Sequence, residues 1–126
     1  MAKILVVDDE RSLLESLVDV IRYHGHDVTG VASGEAALQF LRDPGNPEPD
    51  LIVSDVLMPG VDGLQLFAAI KQEPKLSQKP VLFLSASIHD GVEKLIKDVP
   101  HVLFLQKPFD PDTLLEHIQQ GINMPS

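Results

Sequence analysis

The 126-residue sequence predicts a doubly wound α/β domain, a five-stranded parallel sheet with five helices on its two faces. Three observations predict it. Five short, continuous apolar runs recur along the chain, as in strands buried on both faces. Between them lie segments whose apolar residues repeat at helical spacing. The two patterns alternate strictly, and because parallel strands need crossover connections of one hand, that alternation calls for helices on both sides of a single sheet.

The elements follow in order. Ile4 to Val7 is the first apolar run. Leu13, Leu14, Leu17, Val18 and Ile21 then form one face of a helix, with Glu15, Ser16 and Asp19 on the other, and Tyr23-His24-Gly25 reads as its stop. A second strand spans Asp27 to Ala32. Ser33 suits the N-cap of a second helix carrying Ala36, Ala37, Leu38, Phe40 and Leu41. The proline-rich stretch Asp43 to Pro49 is a surface loop, because the alternation resumes after it. Leu51 to Ser54 is the third strand. Leu64, Phe67 and Ile70 mark a third helix that ends near Glu73-Pro74. Val81 to Leu84 is the fourth strand, a short fourth helix carries Val92, Leu95 and Ile96, and Val102 to Leu105 is the fifth strand. Asp110 as N-cap and Pro111 at the first helical position open the last helix, with Leu114, Leu115, Ile118 and Ile122 inside.

Composition narrows the function. A formal net charge of −9, with no basic run, opposes direct binding to nucleic acid by this segment. No apolar stretch approaches the roughly 20 residues of a membrane span, and Asp8-Asp9-Glu10 cuts short the only apolar run near the N-terminus, so neither a membrane segment nor a secretory signal is expected. The absence of cysteine excludes thiolate metal sites and fits a cytoplasmic protein.

In open parallel sheets ligands bind beyond the carboxyl ends of the strands. That edge collects Asp8 and Asp9 after the first strand, Asp55 after the third, Ser85 after the fourth and Lys107 after the fifth. Three converging carboxylates repel and need positive charge to coexist. Lys107 provides one charge and a divalent cation the rest; donors that are all hard oxygens favour Mg²⁺ over zinc or copper. Mg²⁺ commonly shares its shell with a phosphate, and a carboxylate becomes a nucleophile toward phosphorus when metal and lysine neutralise the phosphoryl oxygens. Asp55 is the candidate acceptor, with Ser85 and Lys107 as partners of the phosphoryl oxygens. Alone, each residue reads as a helix-start acid, a turn former, a capping hydroxyl or a solvated lysine; their convergence on one edge carries the argument. No nucleotide-binding glycine loop and no nucleophile-elbow motif is present, and the five histidines show no metal-ligand spacing.

Four segments, Ile4-Leu5-Val6-Val7-Asp8-Asp9-Glu10, Asp55-x-x-Met58-Pro59-x-x-Asp62-Gly63, Leu84-Ser85-Ala86 and Lys107-Pro108-Phe109, stand in an order and at spacings that resemble the receiver domain of bacterial two-component response regulators, including the single-domain chemotaxis type. The resemblance covers essentially the whole chain. It implies a flavodoxin-like sheet of strand order 2-1-3-4-5, with residues 1–121 as the receiver domain and 122–126 as a C-terminal tail or the start of a linker. Asp55 would accept a phosphoryl group from a phosphohistidine on a sensor histidine kinase or histidine phosphotransfer protein. Asp8 and Asp9 would hold Mg²⁺ with Asp55 and the backbone carbonyl of Leu57, one Asp of the pair through water. Ser85 fills the family's Ser/Thr switch position and Phe104 its switch aromatic. Phosphorylation would bias the surface of the fourth helix, fifth strand and fifth helix toward a downstream effector domain or protein.

Departures from the family pattern are the proline-rich loop after the second helix, the short fourth helix, and Pro100-His101 where small residues are common. They leave the chemistry intact and bear on the output face. Leu57 and Ser87, at positions that tune phosphoryl loss in the family, cannot strongly orient water, so self-dephosphorylation should be slow. The expected molecule is a signalling switch with at most weak autophosphatase activity, not an enzyme acting on a metabolite. An aspartate-nucleophile phosphohydrolase would want a D-x-D motif and a cap segment, both missing. A receiver used only for binding usually lacks an acidic or lysine residue that this chain retains.

Overall fold

The computed structural model of the chain describes residues 2–56, 60, 63–85 and 101–124. Its strands are β1 (Lys3–Val7), β2 (Asp27–Val31), β3 (Leu51–Asp55), β4 (Val81–Ser85) and β5 (Val102–Gln106). Among the described residues the helices are α1 (Arg11–Tyr23), α2 (Gly34–Arg42), α3 (Gly63–Gln72) and α4 (Pro111–Ile122), the last being the fifth helix of the sequence reading. The expected helix around Val92, Leu95 and Ile96 lies outside the described residues, as do Leu57 and Ser87. All pairings are parallel, and the strand order is β2-β1-β3-β4-β5.

Alternation along each strand divides the core in two. Ile4, Val6, Leu51, Val53, Leu82, Leu84 and Leu105 face a layer built from α1 and α4, where Leu17, Ile21, Leu114 and Ile118 pack. Leu5, Val7, Ile52, Val81, Phe83 and Val102 face α2 and α3, where Ala37, Leu66, Phe67 and Ile70 pack. The rings of Phe67 and Phe83 meet edge to face at 5.6 Å. Ile122 closes α4 and packs on the first of these layers.

The caps form as the sequence predicts. Ser33 Oγ accepts from the Ala36 N–H (3.0 Å) and Asp110 Oδ1 from the Thr113 N–H (2.7 Å). α1 ends at Tyr23, and Gly25 follows at φ 93°. His101 adopts φ 69°, a left-handed conformation that costs a side chain some strain, while its carbonyl accepts from the Val81 N–H that opens β4.

β3, β4 and β5 each run one residue past the spans expected from the sequence. The ladder explains this: Asp55 pairs with Leu84, Ser85 pairs with Gln106, and the Val56 N–H still donates to the Leu84 carbonyl (3.1 Å). Asp55 and Ser85 are therefore strand residues held by the sheet rather than by a turn.

The return from β3 into α3 is closed by the Gly63 N–H donating to the Val56 carbonyl (2.9 Å). A Cβ on Gly63 would collide with the Asp55 carbonyl oxygen and the Val56 Cα, both backbone atoms with no freedom to swing away. Gly63→Ala should therefore cost about 1–3 kcal/mol, the usual penalty for overfilling a packed site. Urea unfolding checks this; a midpoint equal to that of the parent would show that α3 can slide back without loss.

Candidate functional site

Five predicted residues meet at the carboxyl edge of the sheet. Asp8 follows β1 directly, and its N–H extends the pairing with β2 by donating to the Val31 carbonyl (3.1 Å). Its side chain is 0% exposed. Oδ1 accepts from the Glu10 N–H (2.9 Å) and so shapes the turn into α1. Oδ2 is buried without a hydrogen-bond partner among the described groups, with the Lys107 ammonium 3.6 Å away. Burial pushes the Asp8 carboxyl above its ordinary pKa of 3.8; the Glu10 N–H and Lys107 pull it down, and Asp55 and Asp9 push it up again.

Asp55 ends β3 on the strand next to β1, its side chain 13% exposed. Lys107 follows β5, and its Nζ donates to Asp55 Oδ2 at 3.3 Å. The same ammonium thus stands between two carboxylates, one from each central strand. The Lys107 N–H donates to the Ser85 carbonyl (2.7 Å), which ties the lysine's backbone to the end of β4, and the Lys107–Pro108 peptide is cis. Asp9 is exposed beside the pair, and Asp8, Asp9 and Asp55 can each present an oxygen within 4.8 Å of the others. Acidic clusters often exist without an ion, but here a buried carboxylate oxygen lacks a hydrogen-bond partner among the described residues, and such an atom is costly unless something satisfies it. The donor set fits a metal ion that prefers oxygen.

Ser85 is the last residue of β4, buried, between the strands that carry Asp55 and Lys107. Phe104 sits on β5 opposite Phe83, partly buried against the α2 and α3 layer. On the two-residue period of a strand, Ser85 and Phe104 belong to the α2 and α3 side, whereas Asp55 has the parity of Leu51 and Val53 on the other side. The Leu57 carbonyl lies outside the described residues. Two features escaped the sequence reading: the double duty of Asp8, and the contact of Glu35 with Gly60. An Asp two residues before the helix N-cap hints at the first; nothing in the sequence signals the second.

Fold and site define a doubly wound domain whose acidic pocket is balanced by a lysine from the far strand. The family model for the response regulator receiver domain matches residues 4–119. The chain is 37% identical over 117 residues to the response regulator protein FleR of Pseudomonas aeruginosa, covering 91% of this chain and 23% of FleR. It is 29% identical over 118 residues to protein PilH of the same organism, covering 94% of this chain and 95% of PilH. Among solved structures, the chemotaxis protein CheY4 of Vibrio cholerae superposes with a TM-score of 0.84 at 31% identity, over 95% of this chain and 98% of that one. The chain belongs to the response regulator receiver domain family, the signalling domain of two-component and chemotaxis systems. None of its described helices is long and apolar enough to cross a membrane.

The Asp8 shift has a stability consequence. Its pKa is raised by folding, so its contribution is fully present below pH 3.8 and is lost as the pH rises through the higher folded value. Asp8→Asn should raise the urea midpoint at neutral pH in the presence of a chelator. The gain should shrink as the pH falls through the raised folded value and be gone below about 3.8, where the carboxyl is neutral in both the folded and the unfolded parent. A midpoint lowered at neutral pH would contradict this reading.

Proposed function

We propose that Asp55 is the phosphoacceptor of this receiver domain and that Asp8, Asp9, Asp55 and the Leu57 carbonyl hold Mg²⁺. The observation that carries the reading is the Lys107 ammonium, 3.6 Å from the buried Asp8 Oδ2, which has no hydrogen-bond partner among the described residues, and 3.3 Å from Asp55 Oδ2. Two carboxylates and a cation-sized need for charge next to a third carboxylate describe a pocket that tolerates added negative charge only with a metal present. When bound, Mg²⁺ offsets the charge on the phosphoryl oxygens.

An oxygen of Asp55 forms a bond to phosphorus while the phosphorus–nitrogen bond of a phosphohistidine breaks. The departing imidazole nitrogen keeps the electron pair and takes up a proton from water. Lys107 neutralises a phosphoryl oxygen, and the Ser85 hydroxyl donates to another. The donor is a histidine kinase or histidine phosphotransfer protein. The added charge, about −1.5 to −2, pulls Ser85 toward the site and draws Phe104 inward, changing the β5 and α4 surface read by an effector. Leu57 and Ser87 hold no strong water-orienting group, so the acyl phosphate is long-lived and autophosphatase activity is weak. The domain works in the cytoplasm, where kinase and phosphodonor reside.

Incubation with Mg²⁺ and a small-molecule phosphodonor should add a phosphoryl mass to the intact protein, and Asp55→Asn should abolish the gain. No gain in the parent, or one that survives Asp55→Asn, would overturn the assignment. Once formed, the phosphoryl group should persist well beyond seconds in Mg²⁺ buffer after removal of the donor; decay within seconds would reject the slow-loss reading.

A further inference from the structure

We infer that Ser54 is a positioning residue for Asp55, acting through the peptide that joins Asp55 to Val56; this rests on the reading of Asp55 as phosphoacceptor. Among the described residues the buried polar or charged ones are Asp8, Ser54 and Ser85. Asp8 and Ser85 belong to the site at the carboxyl edge, whereas Ser54 faces the other way from Asp55. On the two-residue period of β3 it falls between Ile52 and Val56, both packed in the α2 and α3 layer, and it is 1% exposed. A hydroxyl in an apolar layer is costly unless it is hydrogen-bonded. Ser54 Oγ donates to the Asp55 carbonyl at 2.9 Å.

The sheet explains why that carbonyl takes a side-chain donor. In a parallel sheet successive residues of a central strand direct their backbone groups to opposite neighbours. The Ile52 and Val56 N–H groups donate to carbonyls at Pro80 and Leu84 on the β4 side, so the Asp55 carbonyl points toward β1. The β1 and β3 pairing ends at Val7 and Ser54. One residue beyond that last pair, the Asp55 carbonyl takes the Ser54 hydroxyl instead. The same peptide's N–H, that of Val56, still donates to the Leu84 carbonyl (3.1 Å), and Gly63 packs on the carbonyl oxygen from α3. Both polar groups of the peptide after Asp55 are thus hydrogen-bonded, one to the sheet and one to Ser54. Removing the hydroxyl leaves the carbonyl free to rock about the Asp55 Cα–C bond. The carboxylate shares that Cα, and it stands 3.3 Å from Lys107 Nζ and within reach of Asp8 and Asp9. Misplacing it by a fraction of an ångström weakens a metal site and slows any reaction that depends on it.

Ser54→Thr and Ser54→Val introduce side chains of the same shape that differ in the hydroxyl, so the pair isolates the hydrogen bond. At saturating Mg²⁺ and a fixed concentration of a small phosphodonor, the full chain with Ser54→Val should gain its phosphoryl mass on the order of tenfold more slowly than with Ser54→Thr. The difference should hold in protein that its urea curve shows to be fully folded. Isothermal titration with Mg²⁺ alone should give a several-fold weaker affinity for Ser54→Val than for Ser54→Thr, because Asp55 is one of the ligands. Ser54→Ala removes the hydroxyl without adding bulk and should be slowed to the same extent relative to the parent, which decides the matter if the larger side chains do not fit. Where both larger variants fold, equal rates for them would overturn the proposal, as would a parental rate for Ser54→Ala. A hydroxyl effect confined to the urea midpoint, the signature of a purely structural role, would also overturn it. Failure of the Asp55 assignment is distinguishable, because it would appear in the parent as an absent phosphoryl mass gain, while the Mg²⁺ titration would still report on Ser54.

Discussion

One ammonium shared by two carboxylates organises this domain. Lys107 stands 3.6 Å from Asp8 and 3.3 Å from Asp55, yet Lys107 follows β5, Asp8 follows β1 and Asp55 ends β3. Neighbouring strands lie about 5 Å apart, so an ammonium starting on β5 must cross the end of β4 to reach β3. The β2-β1-β3-β4-β5 order, with β1 beside β3, makes that possible, since it puts the two acids on adjacent strands. The hydrogen bond from the Lys107 N–H to the Ser85 carbonyl fixes the starting point of the lysine's reach.

The two faces of the sheet divide the labour. Asp55 extends the side covered by α1 and α4, where Leu51 and Val53 are buried without exposure. Ser85 and Phe104 belong to the side covered by α2 and α3. A phosphoryl group on Asp55 that drew the Ser85 hydroxyl would transmit a pull from one face to the other through β4, a strand buried along its whole length. Close-packed interiors deform in discrete steps and not continuously, so a small shift there favours repacking of a half-buried aromatic over a graded response.

Much of this was legible in the sequence because parallel strands, buried on both faces, read as unbroken apolar runs, and because the sites of such sheets gather at one edge. Ile4 to Val7 announced β1, and Ser33 and Asp110 announced their helices through side-chain chemistry that acts over three residues. What was not legible depends on contacts distant along the chain. The extra residue on β3, β4 and β5 comes from hydrogen bonds to neighbouring strands, which no local pattern records. The split role of Asp8 needs both the Glu10 N–H and Lys107, and the seat of Glu35 on Gly60 joins residues 25 apart in sequence. Motif spacing implied the Asp55, Ser85 and Lys107 grouping only through family resemblance; the residues alone suggested a shared edge.

The acidic pocket works against the fold that builds it. A buried carboxylate with an oxygen lacking a hydrogen-bond partner among the described residues, beside two more carboxylates and one lysine, is a worse interior than an apolar one of the same shape. The cost is tolerable because the surrounding core is extensive: Val6, Leu51, Ile52, Val53, Leu82 and Phe83 are fully buried directly beneath it. Such a site is poised. A cation placed among Asp8, Asp9 and Asp55 would relieve repulsion between carboxylates whose strands the sheet holds together.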